Sequence, residues 1–167
     1  MLDFSPINAR NIDRVCRAYR YCDYRISDYS LGMKLMWKTY LHPEVAFTNG
    51  CMVVRNHFKG AIRFDYPVPC EEGSDLPGAL REIEHYCMEK YIPLIFYAVP
   101  PEHLGELVFR YRSVRTESSV FDDEYIYQSE DLSLFRGKHY AGQRNHIHQF
   151  QNACPGRHNT FLPPQRV

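Results

Sequence analysis

Five side chains in one short stretch carry the makings of an anion site: Lys138, Tyr140, Arg144, Asn145 and His146, all between Gly137 and Phe150. Helical spacing gives Lys138, His139, Arg144 and His148 one basic-leaning side, next to Tyr140 and Asn145. Charged donors flanked by a phenol and an amide suit a phosphate, whether of tRNA or of a phospholipid headgroup, or an acidic partner. A second reading stands beside this one. Tyr140, Ile147 and Phe150 make a thin apolar stripe, so the same stretch also reads as a linker helix. Its stripe would dock between two domains and its polar side would hydrogen-bond across the gap. Gln143, Arg144 and Asn145 suit either job.

Other chemistry is less focused. His139, His146, His148, Cys154 and His158 fall within 20 residues, and Cys154-x-x-x-His158 has ligand spacing. No second paired motif accompanies it, and His146 and His148 point to different sides of a helix, so no metal is expected. Tyr, Glu and His are available for proton transfer, but no spacing fixes a pair, and no catalytic residue is assigned. Glu84 and His85 read as a solvated helix face, Asp122-Asp123-Glu124 as a turn, and Asp65 as an outward residue of its strand. Nucleophile-elbow, P-loop and dinucleotide fingerprints do not occur.

The elements that must position these residues follow from periodicity. Leu2 to Phe4 reads as a short strand, and Ser5-Pro6 as a helix start. Ile12, Val15, Cys16 and Tyr19 share one helix face, as do Met33, Met36, Trp37, Tyr40 and Leu41 in a second helix that Pro43 ends. The period then becomes two. Glu44–Thr48 and Cys51–Arg55 flank the Asn49-Gly50 turn, and after Asn56 to Gly60 a third strand covers Ala61–Tyr66. Asp75 caps a helix reaching Lys90, with Leu76, Leu80, Ile83 and Cys87 as its stripe. Pro93 to Val99 reads as a central strand covered on both faces. Pro100-Pro101 opens a helix carrying Leu104, Leu107, Val108 and Tyr111. Val114–Phe121 and Glu124–Tyr127 read as two last strands, Leu132 to Phe135 as a turn, and Lys138 to about Ala153 as a helix.

This order is strand, helix, helix, three strands, helix, strand, helix, two strands. An early antiparallel meander argues against a doubly wound sheet. The expected class is α/β of the α+β type: the N-acetyltransferase (GNAT) fold, with a mixed, mostly antiparallel sheet flanked by helices. The bulk numbers agree with a globular domain. Of 167 residues, 44% are apolar and 24% charged, and 20 basic side chains balance 20 acidic ones, which disfavours a broad attraction to nucleic acid or anionic membrane. No window suits a transmembrane segment, the N-terminus lacks a signal pattern, and the default compartment is cytoplasmic. Six scattered cysteines then read as small apolar groups rather than disulfides.

Several stretches carry a family resemblance: Trp37-Lys38-x-Tyr40, Phe64-x-Tyr66-Pro67, Ile83-Glu84-x-Tyr86-Cys87, Val99-Pro100, Tyr125-Ile126-Tyr127 and Gly137-Lys138-x-Tyr140-x-x-x-Arg144-Asn145-His146-Ile147. From about residue 3 to 150 the chain resembles an uncharacterised bacterial family grouped with the C-terminal domain of phosphatidylglycerol lysyltransferases. The resemblance implies two GNAT-like units in tandem, similar to the Fem aminoacyl transferases, and transfer of an acyl or aminoacyl group. It divides the chain into a GNAT-like domain over 1–130, a connecting helix over 131–154, and a tail over 155–167. In that tail Phe161-Leu162-Pro163-Pro164 echoes Phe4-Ser5-Pro6-Ile7, where a second unit would begin. The implied partner is that second unit, in cis or as a homodimer. Acyl-CoA or aminoacyl-tRNA is the implied donor for the complete protein. In acyl-CoA-using relatives, the loop after the fourth strand cradles a pyrophosphate on backbone N–H groups. Here that loop, Pro67 to Asp75, has one glycine, two prolines that remove donors, and Glu71, Glu72 and Asp75 to repel phosphate. This half is therefore expected to hold no CoA and to serve as scaffold.

Overall fold

The computed structural model describes residues 2–120 and 123–155. The chain divides into two compact units, Met1–Asp122 and Asp123–Val167.

In the first unit, α1 (Ile12–Tyr21) turns Val15, Ala18 and Tyr19 inward. A single 3₁₀ turn at Ser27–Tyr29 leads to α2 (Leu31–Met36), whose first turn is capped by the Ser30 hydroxyl accepting the Met33 N–H at 3.2 Å. The helix expected to run on through Leu41 breaks at Trp37 and resumes as α3 (Lys38–Leu41), which ends at a left-handed His42 before Pro43. The apolar stripe expected there is largely outside: Met36, Trp37 and Tyr40 are exposed, whereas Lys34 is buried. The reason lies on the sheet below, where a carboxylate draws the lysine inward.

The sheet runs β1 (Ser5–Pro6), β2 (Glu44–Thr48), β3 (Cys51–Phe58), β4 (Ala61–Asp65), β6 (Phe96–Tyr97), with β5 (Val68–Pro69) pairing back onto β3. The first strand is thus Ser5–Pro6, opposite Val45 and Glu44. Leu2 packs in the core without strand pairing, and Ser5-Pro6 starts no helix. The meander forms as expected around Asn49-Gly50, whose φ values of 53° and 72° suit a tight hairpin turn. Strand β3 runs on to Phe58, so the next turn is shorter than expected, at Lys59-Gly60. Beyond β4 the ladder is interrupted at Tyr66-Pro67 and resumes at β5, so β4 and β5 are two pieces laid along one partner. The expected strand at Pro93 to Val99 shrinks to β6, a half-exposed edge strand parallel to β4. Pro93 and a left-handed Ala98 (φ 50°) bracket it and limit its length.

Helices cover both faces of the sheet. Val45, Met52, Val54, Tyr66 and Val68 meet Val15, Ala18 and Tyr19 of α1 in one cluster. Ala46, Val53 and Phe64 meet Ile83, Tyr86 and Cys87 of α4 (Leu76–Lys90) in the other. Asp75 caps α4 by accepting the Gly78 N–H at 2.8 Å. Asp65 was expected to point outward, on a meander with one wet face. Because the α1–α2 layer covers that face, Asp65 is fully buried, with its carboxylate 2.6 Å from Lys34 Nζ. Asn56 of β3 adds a hydrogen bond at 2.7 Å. Burial outweighs both partners and holds the Asp65 carboxyl above the usual carboxylate range.

Helix α5 (Pro101–Arg110) presents only Leu107 to the core. It leans on α4 through Glu84, which accepts from Arg110 Nε and from the Tyr111 hydroxyl, each at 2.7 Å. Glu84 is therefore a half-buried tie between helices and not the solvated residue its position suggested. The two strands expected at Val114–Phe121 and Glu124–Tyr127 are not formed among the described residues; Phe121 and Asp122 lie outside them. The described residues of these segments are almost all exposed. In the second unit, Ser129–Leu134 is a helix, α6, where a turn at Leu132 to Phe135 was expected, and the C-cap residue Phe135 is left-handed. A 3₁₀ turn at Lys138–Tyr140 then leads into α7 (Ala141–Ala153), the expected helix. No helix of the described residues is long and apolar enough to cross a membrane.

Removing one member of a buried pair strands the other's charge, so Lys34→Met and Asp65→Asn should each lower the free energy of unfolding by about 3–5 kcal/mol in urea titrations. The double change Lys34→Met with Asp65→Leu should cost clearly less than the sum. Glu84 is pushed up by desolvation, but the hydrogen bonds from Arg110 and Tyr111 outweigh that and hold it below the usual range. Its contribution is thus present above the ordinary carboxylate value of about 4.3 and lost as pH falls through its folded value. The stability gap between wild type and Glu84→Gln should be flat from neutrality to about pH 5 and close below about pH 4.

Candidate functional site

The most concentrated polar chemistry of the first unit lies at the carboxyl end of β4, where the break in the ladder frees backbone groups. Tyr66 follows the last residue of β4, and its N–H, lacking a strand partner, is donated to the Tyr29 hydroxyl at 3.0 Å. Tyr29 in turn donates to Ala98 O, just past β6, at 2.9 Å. One phenol thus bridges the ends of the two parallel strands, the location where open sheets tend to gather ligands. Tyr24 donates to Pro67 O at 3.1 Å, holding the second residue of the break.

Helix α5 brings the titratable groups. Pro100-Pro101 start it, and the i, i+3 spacing sets His103 and Glu106 on one side, above Tyr66. The Tyr66 hydroxyl donates to Glu106 Oε2 at 2.9 Å. The His103 ring stacks on Tyr66 with centroids 4.4 Å apart, and its Nδ1 lies 3.6 Å from the same Glu106 oxygen. Tyr24 closes the cluster with its ring edge-on to Tyr29, Tyr66 and His103. Burial first, then Glu106, keeps the Tyr66 hydroxyl well above the usual tyrosine range. Burial does the same for Tyr24 and Tyr29. These phenols are therefore proton donors of fixed direction near neutral pH. His103 and Glu106 are both partly exposed beside them.

No expectation from sequence singled out this cluster. The available signal was His103-x-x-Glu106 opening a helix after a short strand, together with Tyr66-Pro67 after β4. What it lacked was the knowledge that α5 lies across the end of β4. Nearby thiols are poor nucleophiles, because burial pushes Cys22 and Cys51 up to about 11.

The loop over residues 70–75 is filled from within. Cys70 N–H and the Ser74 hydroxyl both donate to Gly50 O, at 2.9 and 2.7 Å, and Asp75 N–H donates to Asn49 O at 2.9 Å. Ser74 N–H turns back to Glu71 O, and Glu71 N–H to the Ser74 hydroxyl. The Asn49-Gly50 hairpin turn thus takes the N–H groups of Cys70 and Asp75, while those of Glu71 and Ser74 close on the loop itself. A side chain at position 50 would collide with Ser74, whose Cα would lie 3.1 Å from the added carbon. Glycine there serves the close approach as well as the turn.

The residues singled out in the second unit are together on one short segment but differ in use. Lys138, Asn145 and His146 are exposed. Tyr140 is half-buried, against Phe135 and His139. Arg144 is half-buried and donates through Nη1 to Phe135 O and, at 2.8 Å, to Gly137 O. It thereby holds the carbonyls that follow α6, a helix C-cap role. Ile147 and Phe150 face solvent. Among the described residues no three His, Cys, Asp or Glu side chains gather as metal ligands. His158 and the Phe161–Pro164 echo lie outside the described residues.

The model of the family described as phosphatidylglycerol lysyltransferase, C-terminal, matches residues 19–166. The chain belongs to this lysyltransferase C-terminal family. Its fold is GNAT-like: from β1 through α5 the elements follow the expected order, with the second helix broken into α2 and α3 and β5 added after the meander. Among solved structures, the family member described here is similar to a conserved protein of unknown function from Bacteroides thetaiotaomicron VPI-5482. The TM-score is 0.77 at 22% identity, over 93% of this chain and 52% of that one. At that identity the likeness is one of fold, and this chain spans about half the neighbour's length. No curated protein matches.

Arg144→Ala should free the carbonyls after α6 without touching the first unit. Hydrogen exchange should then quicken at least about tenfold over residues 129–135, in line with loss of a charged hydrogen bond, and stay unchanged over β2–β4. Equal exchange in both proteins would mean that Arg144 does not hold this turn in solution.

Proposed function

We propose that this chain forms one GNAT-like half of an acyl- or aminoacyl-transferase and that this half is scaffold rather than CoA-binding machinery. Family membership supports the transferase class. One observation carries the division of labour: in the β5–α4 loop the N–H groups of Cys70, Glu71, Ser74 and Asp75 are spent on Asn49 O, Gly50 O and the loop's own Ser74 and Glu71. A pyrophosphate would have to compete with these bonds for the amides that cradle anions in such loops. Glu71, Glu72 and the capping Asp75 add negative charge around them.

On this reading the donor, acyl-CoA or aminoacyl-tRNA, is held by a second GNAT-like unit. The Tyr66–Glu106–His103 cluster is the part of this half fitted to meet a polar acceptor group. His103 would orient and exchange the proton, and the fixed phenols would give direction. Helix α7 acts as a connector, since Arg144 is committed to the carbonyls of Phe135 and Gly137. Binding of tRNA or a phospholipid headgroup would then rest on Lys138 and the exposed histidines.

Calorimetric titration with coenzyme A tests the scaffold reading. No saturable heat is expected up to millimolar ligand. Binding with a dissociation constant in the micromolar range, lost on Gly50→Ala, would place CoA in the loop and overturn it.

A further inference from the structure

The Lys34–Asp65 pair leaves its mark on the outer surface of the first unit. With Lys34 turned inward, Leu35, Met36, Trp37 and Tyr40, around the break between α2 and α3, are 41, 66, 45 and 54% exposed. Four large apolar side chains so close together are more than a solvated helix face carries. Tyr40 extends this surface onto the sheet. Its ring lies edge-on to Phe58, the last residue of β3, with centroids 5.3 Å apart, and 6.0 Å from the ring of Trp37.

The charges around these rings are of one sign. Residues 30–43 and 51–64 hold no aspartate or glutamate, but they hold Lys34, Lys38, Arg55, Lys59 and Arg63. Asp65 and Glu44 neutralise Lys34 and Arg55. Lys38 gives its Nζ to an uncharged acceptor, Ile7 O, at 3.0 Å. Lys59 Nζ and the Arg63 guanidinium lie 5.1 and 4.8 Å from the centre of the Phe58 ring, so their charges rest on a π face. In a chain with 20 basic and 20 acidic side chains, this is a local segregation of charge.

We propose that this surface docks the first unit on an anionic lipid bilayer. Leu35 and Met36 enter the acyl boundary, and Trp37 and Tyr40 lie at the level of the headgroups. Lys38, Lys59 and Arg63 reach lipid phosphates while their stems stay on the apolar surface. Two other occupants fit less well. Single-stranded nucleic acid suits rings and cations, but stacked bases leave the aliphatic Leu35 and Met36 in water. A two-fold dimer through this surface would set the same cations against each other. The docking surface is made by α2, α3 and the end of β3, not by the loop over residues 70–75, so binding of coenzyme A would leave the proposal standing.

Trp37 is the single tryptophan of the chain, so its fluorescence reports on this surface directly. The whole chain is titrated with vesicles of equal parts phosphatidylcholine and phosphatidylserine, with vesicles of phosphatidylcholine alone, and with polyuridylate. The anionic vesicles should shift the emission to the blue, brominated acyl chains should quench it, and binding to neutral vesicles should be at least about tenfold weaker. Met36→Asp should weaken binding to the anionic vesicles at least about tenfold, by placing a charge at the acyl boundary. Lys59→Asn, which keeps a residue tolerant of the left-handed turn, should weaken it about fivefold. Both side chains are exposed, so both proteins should melt as wild type does. An emission spectrum unmoved by vesicles would overturn the proposal, as would equal binding to neutral and anionic vesicles. So would a shift with polyuridylate alone, which would give the surface to nucleic acid, or vesicle binding that neither substitution weakens.

Discussion

Strand β4 carries Asp65 into a layer with no water, between β3 and the helices packed on that face. A carboxylate placed there must be met by a counter-charge and by hydrogen bonds, because the desolvation penalty of an unpaired ion exceeds what the surrounding packing contributes. Lys34 and Asn56 meet it, and much of the first unit is arranged around that requirement. Helix α2 turns its lysine inward instead of its methionines and then breaks at Trp37. Apolar groups that periodicity would bury are left outside as a result. Tyr19 lies close by, with a buried hydroxyl that finds no partner among the described residues and a raised pKa owed first to burial and then to Asp65.

The break after Asp65 is the second organising feature. Once Pro67 removes a donor, the ladder cannot continue, and tyrosine hydroxyls replace it: Tyr29 takes the Tyr66 N–H and Tyr24 reaches Pro67 O. In consequence the polar chemistry of this half collects at one end of β4. There a phenol donates to a carboxylate, and an imidazole stacks on the phenol with its Nδ1 3.6 Å from the same carboxylate oxygen. A few residues on, the Asn49-Gly50 turn accepts hydrogen bonds from the loop over residues 70–75. One end of a short strand thus gathers Tyr66, His103 and Glu106, while the nearby amides of Cys70, Glu71, Ser74 and Asp75 are bonded within the protein.

The second unit is organised on a smaller scale. A single guanidinium stitches the carbonyls of Phe135 and Gly137 to α7, so one of the candidate phosphate donors is committed to local structure. A glycine at φ 93° lets the chain turn between the two helices. Ile147 and Phe150 of α7 are exposed, as are Tyr125, Ile126 and Tyr127.

Local pattern was enough for α1, the Asn49-Gly50 hairpin, the meander and the Asp75-capped helix, because each is specified by neighbours within a few residues: a stripe, a turn pair, a cap. The acidic, proline-bound character of the loop over 67–75 was equally plain. What needed the tertiary structure was everything set by contacts between distant segments. Period-two alternation placed Asp65 on a different face from Phe64, but not whether that face would be wet, and only the α1–α2 layer answers that. Hydrophobicity made residues 93–99 resemble a central strand, yet Pro93 and the left-handed Ala98 leave two residues at an edge. Glu84 looked solvated until Arg110 and Tyr111 arrived from α5. His103, Glu106 and Tyr66 are 40 or fewer positions apart in the chain, with no shared motif, and become one site because α5 crosses the end of β4. Sequence alone determined the local geometry of these elements and the class of fold; which polar groups meet was decided by packing, since burial and long-range pairing carry no signature in any short window of the chain.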